Sequence, residues 1–107
     1  MNNNLKNIIL IGMSGSGKTT VGEFVSKKLN MKFMDTDDII VFNRDMTIEC
    51  IFNKYGEKYF RNLEKKVIKE ISLKNNIVIS TGGGVVLNKA NMDALREKGI
   101  VFFLKAR

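Results

Sequence analysis

The sequence predicts an α/β fold, a parallel sheet with helices on both faces, formed by a single domain spanning residues 1–107. Three observations predict it. Apolar runs of strand length alternate with stretches of helical periodicity. The runs are nearly continuous in Ile, Val and Leu, as in strands buried on both faces. Three unusual clusters, GMSGSGKT (12–19), DTDD (35–38) and GGG (82–84), each follow one of the first three strands. Ligands of such sheets gather beyond the carboxyl ends of the strands, so clusters far apart in sequence should converge there.

Taken in order, residues 5–11 (LKNIILI) read as a buried strand. In the helix after the glycine-rich loop, Val21, Phe24, Val25 and Leu29 recur at three- and four-residue spacing and mark its inner face. A short strand, 32–34 (KFM), leads into DTDD. Helical stretches follow near 36–43 and 47–54, then a longer one near 57–74 with Phe60, Leu63, Val67 and Ile71 on one face and Lys65, Lys66, Lys69 and Glu70 mostly off it. Residues 77–81 (IVIST) form a strand ending in GGG, 88–98 a helix stopped by Gly99, and 100–104 (IVFFL) a last strand. No proline, repeat or low-complexity linker marks a domain boundary.

Gly12, Gly17, Lys18 and Thr19 match G-x-x-x-x-G-K-[ST], the phosphate-binding loop of proteins that hydrolyse or transfer nucleotide phosphates. The glycines let the backbone curl until successive N–H groups and the helix N-terminus point at phosphate oxygens. Lys18 reaches the β- and γ-phosphates, and the Thr19 hydroxyl is placed for Mg²⁺. Gly12, Ser14, Gly15, Ser16, Gly17, Lys18, Thr19 and Thr20 are therefore the candidate ATP-binding residues. A strand before the loop and a helix after it favour this over a glycine-rich turn that binds nothing.

Asp35 and Asp37 flank Thr36 at a strand end, where alternation would aim their carboxylates differently, one at metal and phosphates, the other at an acceptor hydroxyl. Phosphoryl transfer needs both jobs done. A helix N-cap with acidic first-turn residues would account for Asp37 or Asp38 but less well for Asp35. Three glycines at 82–84 exceed what a tight turn needs, which favours close approach of a ligand. Arg61 and Glu64 are neighbours on a helix face; alone they would be a surface ion pair, but a guanidinium facing the cleft would grip a substrate carboxylate bidentately.

The net charge of +7, from 18 Lys+Arg against 11 Asp+Glu, suits an anionic ligand. The excess is lysine scattered over helix faces, so a solvated surface is preferred to a nucleic-acid-binding module, and the aromatics do not interleave with the basic residues. Cys50 is the single cysteine and there is no histidine, which excludes an internal disulfide and disfavours zinc. No apolar run approaches membrane-spanning length and no signal peptide is visible, so a cytoplasmic location is expected.

Together, GMSGSGKTT, FMDTDD, TIECIF, GEKYFRNLE and STGGGVV resemble the shikimate kinases in order, content and spacing. The resemblance implies a phosphate-loop kinase fold of the nucleoside monophosphate kinase type, and transfer of the ATP γ-phosphate to the 3-hydroxyl of shikimate in aromatic amino acid and chorismate biosynthesis. It implies that Lys18 and the loop bind ATP, that Thr19 takes Mg²⁺ with Asp35 in support, and that Asp37 holds the accepting hydroxyl. Arg61 looks like the arginine that binds the shikimate carboxylate, with Glu64 orienting it. Phe52 and Phe60 match aromatic positions of that pocket, helix-core packing being the other explanation for both, and Gly82, Gly83 and Gly84 match its glycine wall. Two departures are Val41, where an acidic residue is usual, and Arg44-Asp45, where the family has a Thr-Gly turn.

The family continues past IVFFLKAR into an arginine-bearing lid, a further strand and an adenine-binding loop. The sequence is therefore expected to be truncated after its fourth strand, with phosphate binding retained and transfer weakened. A complete chain is expected to be a monomer; here the last strand would be a free sheet edge through which chains associate. The rival readings are a kinase of gluconate or a nucleoside monophosphate, and a non-catalytic ATP-binding fragment.

Overall fold

The computed structural model describes residues 6–12 and 17–105. It contains four parallel strands in the order β2-β3-β1-β4 and five α-helices among these residues. They run β1 (Asn7–Gly12), α1 (Lys18–Leu29), β2 (Lys32–Asp35), α2 (Thr36–Arg44), α3 (Ile48–Tyr55), α4 (Glu57–Ile71), β3 (Ile77–Ser80), α5 (Lys89–Lys98) and β4 (Gly99–Leu104), with one 3-10 turn at Val85–Leu87. Pairing sets Leu10 opposite Ser80 and Asp35 opposite Ser80, so β2 and β3 end level and β1 runs two residues further, to Gly12, at the same end of the sheet. That shared end is where the three clusters meet.

Side-chain alternation divides the sheet into two faces. Ile9, Ile11, Ile77 and Ile79 pack with Ile51, Phe60, Val67, Ile68, Ile71 and Leu95 from α3, α4 and α5 in the main core. Leu10 and Phe33 face α1. Every predicted strand and helix is present, with ends displaced by a few residues. The helix predicted to run to residue 74 stops at Ile71, where Ser72 caps it. Gly99 does end α5, but in an extended conformation as the first residue of β4.

One expectation fails on α1. Val21, Phe24 and Leu29 are exposed, and the buried residues are Gly22 and Ser26. The helix lies so close to the sheet that a Cβ at Gly22 would stand 2.4 Å from Phe33 Cε1. Small residues therefore form the contact line, and the larger apolar ones flank it. No helix among the described residues is long and apolar enough to cross a membrane.

Candidate active site

A cleft of 350 Å³ opens beyond these strand ends, lined by Gly17, Lys18, Thr19, Thr20, Asp35, Asp37, Ser80, Thr81, Gly82 and Gly83. Gly17 caps α1 in a left-handed conformation, φ 85°, which only glycine adopts readily. It supplies no side-chain cap, and the first turn of α1 holds no acidic residue. The N-terminal amides of α1 thus keep their capacity for an outside anion. Lys18 Nζ donates to the Gly12 carbonyl at 2.6 Å, which turns the side chain back toward the end of β1. Ser14, Gly15 and Ser16 lie outside the described residues.

Asp35 does two things at once. Its Oδ1 accepts from the Asp38 backbone N–H at 3.1 Å, making it the N-cap of α2. Its Oδ2 lies 3.5 Å from Thr19 Oγ1, linking the end of β2 to the first turn of α1. The cap therefore falls on Asp35, the aspartate that a helix cap with acidic first-turn residues was thought to explain less well. Asp37 belongs to the first turn of α2, so helical rotation rather than strand alternation aims its carboxylate away from that of Asp35.

Asp37 Oδ1 is buried and has no hydrogen-bond partner among the described residues. Burial pushes its carboxyl above the ordinary range, reinforced by Asp35 and Asp38 and opposed by Lys18 and Arg61. It thus lies in the fields of both the phosphate-loop lysine and the α4 arginine. Arg61 Nη1 donates to Glu64 at 3.1 Å and Nε to Glu57 at 3.4 Å. Its guanidinium stands 5.3 Å from the Phe60 ring and 6.0 Å from that of Phe52. The two rings lie 4.8 Å apart, so both phenylalanines pack inward and also flank the arginine. The Glu64 side chain is only 2% exposed. Burial raises its carboxyl, and the hydrogen bond from Arg61 opposes the shift.

Each glycine of the triplet has its own reason. A Cβ on Gly82 would lie 2.7 Å from Asp37 Oδ1, and one on Gly84 would lie 2.2 Å from Arg61 Nη1. Gly83 has no atom within 4 Å of the corresponding position. Two glycines let Asp37 and Arg61 press against the wall; the middle one adjoins open space in the cleft. Arg61, Phe52, Phe60, Glu64 and Gly84 do not line the 350 Å³ cleft themselves, and they form an adjoining group beyond Gly82 and Asp37.

The shikimate kinase family model matches residues 14–107. The chain belongs to the shikimate kinase family. A shikimate kinase of Caldicellulosiruptor bescii is 51% identical over 102 residues, covering 95% of this chain and 59% of the relative. The structure of a shikimate kinase from Acinetobacter baumannii in complex with shikimate superposes with a TM-score of 0.93 at 39% identity, over 96% of this chain and 57% of that one. Shikimate kinase from Aquifex aeolicus gives 0.86 at 43%, over 91% and 58%. The chain thus spans a little under three-fifths of the length of these relatives.

Several residues of the cleft and its surroundings escape sequence reasoning. Ser80 is 1% exposed and lines the cleft, with an Oγ that has no partner among the described residues. It stands inside an apolar strand, where a serine reads as filler. Glu57 precedes Arg61 by four residues, a spacing that signals a helix ion pair and could have been used. At the Arg44-Asp45 departure, Asp45 takes the left-handed cap conformation, φ 55°, otherwise suited to glycine. Arg44 hydrogen-bonds the Tyr59 hydroxyl and stacks on its ring, outside the cleft.

Proposed function

We propose that this chain carries the nucleotide- and acceptor-binding parts of an ATP-dependent shikimate kinase, and that Lys18, Asp37 and Arg61 are its principal working residues. The observation that carries the reading is the position of Asp37, under the influence of Lys18 on one side and Arg61 on the other, against a wall of glycine. In the proposal Lys18 and the α1 amides hold the ATP phosphates. Thr19 and Asp35 offer hard oxygens only, and among the described residues no group of three or more His, Cys, Asp or Glu forms a metal cage. Such a pair suits Mg²⁺, which keeps waters and shares its coordination with substrate phosphates. When bound, the ion neutralises charge developing on the transferred phosphoryl group.

Asp37 then holds the shikimate hydroxyl in line with the phosphate. Its raised affinity for a proton suits acceptance of the hydroxyl proton as well as positioning. Glu57 takes Nε of Arg61 and Glu64 takes Nη1, so the guanidinium is fixed in orientation before the substrate carboxylate arrives. Gly82 and Gly84 let Asp37 and Arg61 stand against the backbone, and Gly83 leaves the open space in which the ring comes close to it. We assign the chain to the cytoplasm, where ATP is supplied and where a lone exposed thiol such as Cys50 persists. The outer edge of β4 pairs with no strand among the described residues, so association through it is part of the proposal.

The test is isothermal titration of Mg·ATP and then of shikimate, gluconate and a nucleoside monophosphate into the folded chain. Saturable binding of shikimate alone among the acceptors supports the proposal. Preference for gluconate or the monophosphate would reassign the acceptor, and nucleotide binding with no acceptor would leave a non-catalytic nucleotide-binding unit.

A further inference from the structure

Thr36 sits between the two aspartates and is fully buried, at 0% exposure. Its Oγ1 accepts the backbone N–H of Gly82 at 3.0 Å, across 46 residues of sequence. The reason for this bond lies in the sheet. The Thr81 N–H donates to Leu10 of β1 at 3.1 Å, so by strand alternation the Gly82 N–H points the other way, toward β2. The ladder between β2 and β3 ends at Asp35 and Ser80, and the chain has already turned into α2. No strand carbonyl is left there for Gly82. The Thr36 hydroxyl takes its place.

This bond holds Gly82 where a Cβ would meet the Asp37 carboxylate at 2.7 Å. Thr36 and Asp37 are consecutive in the first turn of α2, so one short segment carries both the acceptor-facing carboxylate and the peg that sets the wall beside it. We infer that Thr36 is a positioning residue for the acceptor site, its hydroxyl fixing the Gly82 backbone against the Asp37 carboxylate and so setting where that carboxylate meets a ring hydroxyl of the substrate. This rests on the acceptor reading above. The phosphate side of the cleft is formed by Lys18, Thr19 and the α1 amides, whereas the Thr36 hydroxyl is spent on Gly82.

The experiment compares the wild type with Thr36→Val, which keeps the shape and removes the acceptor, and Thr36→Ser, which keeps the hydroxyl. Titration with shikimate should show affinity about tenfold lower in T36V, from one lost buried hydrogen bond, with T36S close to wild type and Mg·ADP affinity unchanged in both. Amide hydrogen exchange should accelerate about tenfold or more at Gly82 in T36V, with Val78 and Ile79 in β3 unaffected. Equal weakening of shikimate and Mg·ADP, or no weakening of shikimate in a folded T36V, would overturn the inference. A wild type that binds no shikimate would overturn the acceptor reading instead. The Gly82 amide then decides whether the Thr36 bond holds the wall: unchanged exchange in T36V would refute it. If T36V does not fold, Thr36→Ala is read by the same two measurements against T36S.

Discussion

Gly84→Ala isolates the role of Arg61 without touching the arginine. The added methyl would stand 2.2 Å from Arg61 Nη1, 2.6 Å from Cζ and 2.7 Å from Nη2. Restoring ordinary contact of about 3.5 Å requires the guanidinium to retreat by roughly 1 Å. Gly84 has φ −90° and ψ −1°, which alanine adopts freely. The backbone change is therefore worth about 0.4–1 kcal/mol in favour of folding. A loosened Arg61–Glu64 pair opposes it, and stability should stay within about 1 kcal/mol of wild type. A bidentate clamp displaced by 1 Å loses charge-assisted hydrogen bonds worth about 1.5–3 kcal/mol, a fall of about 10- to 100-fold in affinity for a carboxylate ligand. The assay is calorimetric titration with shikimate beside a thermal melt, with Mg·ADP as the control ligand. A folded Gly84→Ala chain that binds shikimate like wild type would refute the assignment of Arg61 as the carboxylate anchor.

Three other outcomes are expected. Asp37 has a raised carboxyl, so the native state takes up its proton before the unfolded chain does. Its contribution to stability is fully present below the unfolded value of 3.8 and is lost as pH rises through the native value. Asp37→Asn should therefore stabilise the fold near pH 7 by about 1 kcal/mol, or about 4 °C in Tm, with the gain vanishing below about pH 3.5; melts across that range check it. At Asp35, Asn keeps the cap whereas Ala loses about 1 kcal/mol of it, yet both should raise the Mg²⁺ needed for nucleotide binding by about tenfold, read by titrating Mg²⁺ at fixed ADP. Gly83→Ala should melt like wild type, because nothing stands within 4 Å of its new methyl, while weakening shikimate if the open space beside it is where the ring lies.

The sheet was legible because its strands are continuous apolar runs, and the start of α1 because Gly17 directly precedes the helical period. Elsewhere the period of a helix misled. In α1 the apolar stripe flanks the contact while Gly22 and Ser26 make it, since closeness to Phe33 excludes a larger side chain. Capping at DTDD was weighed only as an alternative explanation, and Asp35 was not singled out as the cap. Which of three carboxylates reaches back to the Asp38 amide depends on where β2 ends, and strand ends are poorly marked in sequence. Glu64 was recognised as a partner of Arg61, yet its burial was not visible, because spacing along one helix carries no information on what packs over it. The separate reasons for Gly82 and Gly84 could not be read without the positions of Asp37 and Arg61.

The claim that nucleotide and acceptor meet at Asp37 is tested most directly by ADP formation from Mg·ATP with and without shikimate, on the wild type and on Asp37→Asn, both verified as folded. The expected result is shikimate-dependent ADP formation that Asp37→Asn abolishes, with ATP binding intact in both. Shikimate-dependent turnover undiminished in Asp37→Asn, or a folded wild type indifferent to shikimate, would contradict it.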